Sequence, residues 1–263
     1  MGREEVKRAL SILSKYVDSL EAKDPQFLWI SKVVKEHGLK ALPVIVGNAL
    51  VSYRLAGTGE QYWEEFGKFF LNHEPTIENL KKFVKESKYN KAMKEQKVKR
   101  IERASRVLEK LTSEKYSDLN LLREELKRAL GAKGNEKTLV FALKMAYYAF
   151  KAMDIAVKGD TDLPIDSRIA TITCSSELLD ASVDEIMGKR RDEAIRVWKE
   201  IAGEVGLKAL HLDALLWLPA RGLRRALCKG LEEGRKTVEN NLKEYGIAEA
   251  EEVAQLLVRR ACC

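Results

Sequence analysis

The sequence is poor in several things at once. Of its 263 residues only four are cysteine, three histidine and five proline. The cysteines are Cys174, Cys228, Cys262 and Cys263, and no two of them form a Cys-x-x-Cys pair. No histidine stands at zinc-ligand spacing either. Both absences argue against a structural metal or an iron–sulfur cluster, and free thiols in a reducing cell are expected. No run of 18 apolar residues occurs, so no transmembrane helix is expected. The N-terminus, Met1-Gly2-Arg3-Glu4-Glu5, lacks an apolar secretory core, which predicts a cytoplasmic protein. Strand-like alternation is nearly absent. So are repeats, low-complexity segments and long linkers.

What remains is helix. Apolar residues make up 45% and charged residues 33%, the balance of a globular protein rich in charge. The length suits one large domain or two small ones. Apolar residues recur at helical spacing from Glu4 to Leu20. A second helix is predicted from Pro25, with Gly38 as its stop. Leu42 to Leu55 reads as a buried helix entered at Pro43, and Glu60 to Leu71 carries Trp63, Phe66, Phe69 and Phe70. Thr76 reads as a cap, and Ser117-Asp118 caps a helix from Leu119 to Leu130. Further helices are predicted from Asp166 through Cys174, from Ser182, from Arg190 to Val205, from Leu207 to Leu218 and from Leu231 to Tyr245. A last one is predicted from Ala248 to Ala261.

The net charge of +7 and pI of about 9.1 point to a polyanionic partner. Abundant lysine and glutamate with little glutamine lean toward a thermophile. Between Lys81 and Lys110 stand twelve Lys or Arg against four Glu. Such a run reads first as a solvated helix face with ion pairs. Its functional reading is a flank of a DNA groove.

The stretch from Leu130 to Asp166 organises the rest. One helix stops at Gly131, a short loop carries Lys133 and Gly134, and a new helix opens at Lys137. Two glycines around a tight loop let backbone N–H groups approach a phosphate. The next helix aims its positive end the same way. The alternative is an ordinary helix–helix connection. Lys137 stands at the end of a helix that disfavours positive charge. A Schiff-base nucleophile must react as a neutral amine, which suits that place. Asp166 follows Leu163-Pro164-Ile165 and reads as an N-cap. A carboxylate paired with an amine also suits attack on a sugar carbon, because it accepts the proton and offsets an oxocarbenium-like charge.

These residues resemble the helix-hairpin-helix DNA glycosylases with a Gly/Pro-rich loop and a final Asp. More closely they resemble the archaeal 8-oxoguanine DNA glycosylase group. The resemblance rests on the run Lys137 to Tyr148, on Leu163-Pro164-Ile165-Asp166 and on His211 to Trp217. The hairpin departs from the usual apolar-Gly-x-Gly pattern, and the 29 residues from Lys137 to Asp166 are a long separation.

The resemblance implies an all-α helix-hairpin-helix glycosylase fold, with two helical subdomains around a base-binding cleft. The resemblance covers most of the chain, and 1–263 is expected as a single helical glycosylase unit, with the helix-hairpin-helix region at about 119–183. Lys137 is implied as the nucleophile and Asp166 as its partner; Lys144, two turns on, is the alternative amine. A flipped purine needs stacking faces and fixed polar groups. Phe141 and Trp217 are implied as the faces, though both also read as core. Gln26, Ser52, Trp63, Lys144, Pro164 and Asp213 are implied pocket residues. An acceptor for N7–H separates 8-oxoguanine from guanine, and Gln26 and Asp213 are the two candidates. Gly131, Lys133 and Gly134 are the expected backbone contacts. No metal and no cofactor are expected. The expected partner is DNA containing 8-oxoguanine, bound by a monomer in the cytoplasm of an archaeal cell at its nucleoid. Two rivals stand beside this reading: a glycosylase for another lesion, and a non-catalytic helix-hairpin-helix DNA-binding protein.

Overall fold

The computed structural model describes residues 2–263. Most of the described residues are helical. Among the described residues the only β-type pairing is an isolated parallel bridge between Asp118 and Lys158. Two compact units form. The terminal unit combines the chain up to Asp24 with Asp162–Cys263, and the inner unit is Pro25–Thr161.

The terminal unit opens with α1 (Arg3–Leu13) and α2 (Val17–Lys23), separated by a 3-10 turn at Ser14–Tyr16. The spacing from Glu4 to Leu20 predicted one helix. The ladder breaks where the Ser14 hydroxyl donates to the Ser11 carbonyl at 2.8 Å. Such local bonds compete with helix continuation.

The inner unit holds α3 (Pro25–His37), α4 (Leu42–Leu50), α5 (Gly59–Phe70) and α6 (Ile77–Glu86). It continues with α7 (Lys94–Leu108), α8 (Ser113–Ser117), α9 (Leu119–Leu130) and α10 (Lys137–Lys151). Gly38, at φ +62°, stops α3 as expected. α4 ends at Leu50, short of the expected Leu55, and the Ser52 hydroxyl donates back to the Asn48 carbonyl. Thr76 caps α6, and Asp118 rather than Ser117 caps α9. α10 is buried on almost every side and packs against α3, α4 and α9. A helix apolar nearly all round belongs in a core.

The chain returns to the terminal unit with α11 (Ser167–Ser175), α12 (Val183–Met187), α13 (Arg191–Glu204) and α14 (Leu212–Trp217). α15 (Leu223–Leu227), α16 (Leu231–Glu244) and α17 (Ala250–Leu257) complete it. Its core gathers Leu10, Leu13, Ile172, Trp198, Leu215 and Leu257. α1 packs on both α13 and α17, so the N-terminus closes the unit.

The cysteines correct the expectation of free thiols. Cys174 is joined to Cys262 and Cys228 to Cys263. α17 stops at Leu257, before the expected Ala261, because the tail bonds elsewhere. The N–H groups of Arg259 and Arg260 donate to the Ser175 carbonyl at 2.8 and 3.1 Å. The Arg260 guanidinium donates to the carbonyls of Cys174, Leu179 and Ala181. These bonds carry Cys262 to Cys174. Spacing along the chain gives no sign of such a pairing.

Among the described residues, no helix is long and apolar enough to cross a membrane. Among the same residues, no group of three or more His, Cys, Asp or Glu is placed to hold a metal ion.

Candidate active site

The hairpin forms where two backbone positions need positive φ. Gly131 caps α9 at φ +62°, ψ +37°, and Gly134 sits at φ +102°. A side chain at either would be strained. The loop then reaches Glu136, the residue before α10. Its carboxylate accepts from the Lys133 N–H at 2.6 Å and from the Gly134 N–H at 2.8 Å. The amides expected to meet a phosphate are thus engaged by an internal anion. Burial pushes the Glu136 carboxyl up; donors at Lys133, Glu136 and Gly134, with Arg100, outweigh it and hold it below the usual range.

α10 aligns the expected side chains on one face. Lys137 is its first residue and is exposed, not buried as a neighbour of an apolar helix would suggest. Phe141 stands one turn on, half-buried, with its ring edge-on to Trp63 at 6.0 Å and 73°. Lys144 stands two turns on and is only 1% exposed. Its ammonium lies 4.5 Å from the Tyr148 ring centre and 5.1 Å from that of Tyr147. Such contacts favour a buried cation. Trp63 is fully buried and meets Phe66 edge-on at 5.0 Å. Its indole N–H is buried with no acceptor among the described residues. A buried donor left unmade costs about 1–3 kcal/mol unless something fills it. Gln26 is buried in the first turn of α3, its amide beside the start of α5. Ser52 is half-buried at the end of α4, its hydroxyl committed to the Asn48 carbonyl.

In the terminal unit, Pro164 and Ile165 are buried and lead to Asp166. Asp166 Oδ1 accepts from the N–H groups of Arg168 and Ile169 at 2.9 and 3.0 Å, so the predicted cap is present. Oδ2 accepts from the Trp217 indole N–H at 2.9 Å. The Arg168 guanidinium lies over the Trp217 ring, 3.8 Å from its centre. Asp213 is buried in the first turn of α14, one turn before Trp217. Asp166 and Trp217 are therefore brought together directly, 51 residues apart in sequence.

Three features escaped the sequence. One is the Glu136 carboxylate, which turns back onto the hairpin amides and makes no cap bond to α10. Another is Arg168, visible only as the second residue after Asp166. The third is a buried polar chain in the inner unit. There the Tyr62 hydroxyl donates to Asn48 Oδ1 at 2.6 Å, Asn90 donates to Tyr62, and Lys97 donates to Asn90 and to the Tyr53 carbonyl. Burial pushes the Tyr62 hydroxyl well above its ordinary range. Burial first, and Arg54 second, bring the Lys97 ammonium down to about 8.

A glycine-turned hairpin, a lysine opening the next helix and a carboxylate capping a later one are the elements shared with the helix-hairpin-helix DNA glycosylases. The comparisons agree. The profile of the AGOG family, described as N-glycosylase/DNA lyase, matches residues 7–255, and the chain belongs to that family. An N-glycosylase/DNA lyase of Pyrobaculum aerophilum is 34% identical over 83% of this chain and 87% of its own length. One from Aeropyrum pernix is 32% identical over 92% of this chain and 89% of its own. The crystal structure of the Pyrobaculum aerophilum 8-oxoguanine DNA glycosylase complexed with 8-oxoguanosine superposes with a TM-score of 0.77 at 33% identity. It covers 84% of this chain and 88% of that one.

Proposed function

We propose that this protein excises 8-oxoguanine from DNA and then cleaves the backbone at the resulting site. The observation that carries the reading is the α10 face: an exposed amine, an aromatic ring and a buried ammonium at Lys137, Phe141 and Lys144. The Trp63 indole N–H beside Phe141, still without an acceptor, supports it. 8-Oxoguanine offers a flat face and two carbonyl oxygen acceptors, which those groups complement.

In this reading the Lys137 nitrogen bonds to C1′ of the extruded nucleotide. The C1′–N9 bond breaks, its electron pair goes to the base, and the base takes a proton from solvent as it leaves. Asp166 accepts the proton released by the lysine and offsets the charge on the sugar. Opening of the sugar ring gives an imine, with the ring oxygen protonated. Loss of a C2′ proton then expels the 3′ phosphate, and water hydrolyses the imine. Phe141 and Trp217 stack on the base; Gln26, Ser52, Trp63, Lys144, Pro164 and Asp213 line its edge. Gly131, Lys133 and Gly134 meet the DNA backbone, where a phosphate has to displace the Glu136 carboxylate. The enzyme acts as a monomer, in the cytoplasm at the nucleoid, and this chemistry needs no cofactor.

The test is single-turnover incubation with duplexes carrying one 8-oxoguanine, one other lesion, or none. Release of 8-oxoguanine with strand cleavage supports the proposal. Release of only the other base makes it a glycosylase for another lesion. Binding with no release makes it a non-catalytic DNA-binding protein.

A further inference from the structure

The sequence left the basic run from Lys81 to Lys110 as a solvated face. One part of it is built differently. A recess of about 250 Å³ opens beside α7, lined by Tyr53, Gln96, Lys99, Arg100, Arg103 and Leu130. Three of the six are cations and none is an acid. Elsewhere in the run Lys81 pairs with Glu78 at 2.5 Å and with Glu102 at 3.8 Å. Among the described residues Lys99, Arg100 and Arg103 form no ion pair.

Arg100 is held by a hydrogen bond, and not by an ion pair, among the described residues. Its Nη2 donates to Thr138 Oγ1, in the first turn of α10, at 3.0 Å. Its Nε is buried and has no acceptor among the described residues. Burial draws its pKa below the ordinary value, opposed by Tyr53 and Glu136 and reinforced by Arg103. A guanidinium kept partly desolvated beside further cations carries an electrostatic cost unless an anion arrives. Place matters as well. Leu130 is the last residue of α9, directly before the hairpin, and Thr138 directly follows it. The recess therefore abuts both ends of the hairpin.

We propose that this recess binds one phosphodiester of the DNA backbone, next to the phosphate assigned to the hairpin. The guanidiniums of Arg100 and Arg103 offer forked donors to phosphate oxygens, and Lys99 adds a point charge. The Gln96 amide and the Tyr53 hydroxyl supply neutral donors. The contact is sequence-independent and fixes the register of the duplex. This inference rests on the proposed DNA substrate.

The test compares salt dependence of binding on a short undamaged duplex and on its 8-oxoguanine counterpart. The variant is Lys99→Gln with Arg103→Gln, two exposed positions. The charge-matched control is Lys82→Gln with Lys110→Gln, also exposed and outside the recess. Each phosphate contact contributes roughly 0.9 to the slope of log affinity against log salt. The recess variant is expected to lose about 1 from that slope, with affinity falling by the same factor on both duplexes. The control is expected to keep the wild-type slope. A recess variant whose slope equals that of the control overturns the proposal. The wild-type base-release assay reads the function separately. Release with no slope difference removes the recess and leaves the glycosylase. A slope difference with no release leaves a phosphate site on a non-catalytic DNA-binding protein.

Discussion

The carboxylate of Asp166 is divided: Oδ1 holds the first turn of α11, and Oδ2 receives the Trp217 indole N–H. The cap and the proposed catalytic role separate under Asp166→Asn, because asparagine caps about as well as aspartate but carries no charge. The melting temperature should fall by no more than about 4 °C. Single-turnover base release should drop roughly 100- to 10,000-fold. Early melting with near-normal release per folded molecule would reduce Asp166 to a cap. Lys97 gives a test by pH. Its folded value of about 8 lies below the ordinary 10.5, so the unfolded chain holds more protons between them. The corresponding stability is fully present above about 10.5 and is lost as pH falls through about 8. Relative to Lys97→Met, the wild-type melting temperature should therefore rise across that window; a flat difference would refute the shift. The Asp166 cap was legible because capping is local. The Trp217 bond to Asp166 and the Arg168 stack were not, since each joins helices far apart in sequence.

At the scale of elements, caps and stops were the readable part. Gly38, Thr76, Asp118 and Ser182 all act where the local chemistry predicted. Errors fell where a periodic pattern outran its helix. Apolar spacing continues through the turn at Ser14–Tyr16 and beyond Leu257, and periodicity does not register a competing serine hydroxyl or a tethered tail. That tail is the clearest case, because Cys262 and Cys263 are each tied to a partner far back in the chain. Disulfides inside cells are characteristic of hyperthermophiles, consistent with the lysine- and glutamate-rich composition. Reducing both bonds is expected to destabilise the terminal unit by about 2–5 kcal/mol per bond. Thermal melts with and without a strong reductant check this. An unchanged melting temperature, with all four thiols shown free by labelling, would mean that the tail is held by Arg259 and Arg260 alone.

For the whole molecule, an all-helical class followed from the near absence of alternation. Two helical subdomains were expected from the resemblance, but which segments compose them was not legible, because the terminal unit is assembled from both ends of the chain, where α1 packs on α17. Amphipathic patterns say which face a helix buries, not which distant helix covers it. The assignment of the nucleophile rests on the order of elements: hairpin, then Lys137 at the start of α10, with Lys144 buried two turns on. The direct measurement is borohydride trapping on 8-oxoguanine duplex, followed by mass-spectrometric mapping of the attached residue. A covalent adduct at Lys137 is predicted, lost in Lys137→Gln while the folded variant still binds lesion DNA, and retained in Lys144→Gln. An adduct that survives Lys137→Gln and disappears in Lys144→Gln, or maps to Lys144, would contradict the account.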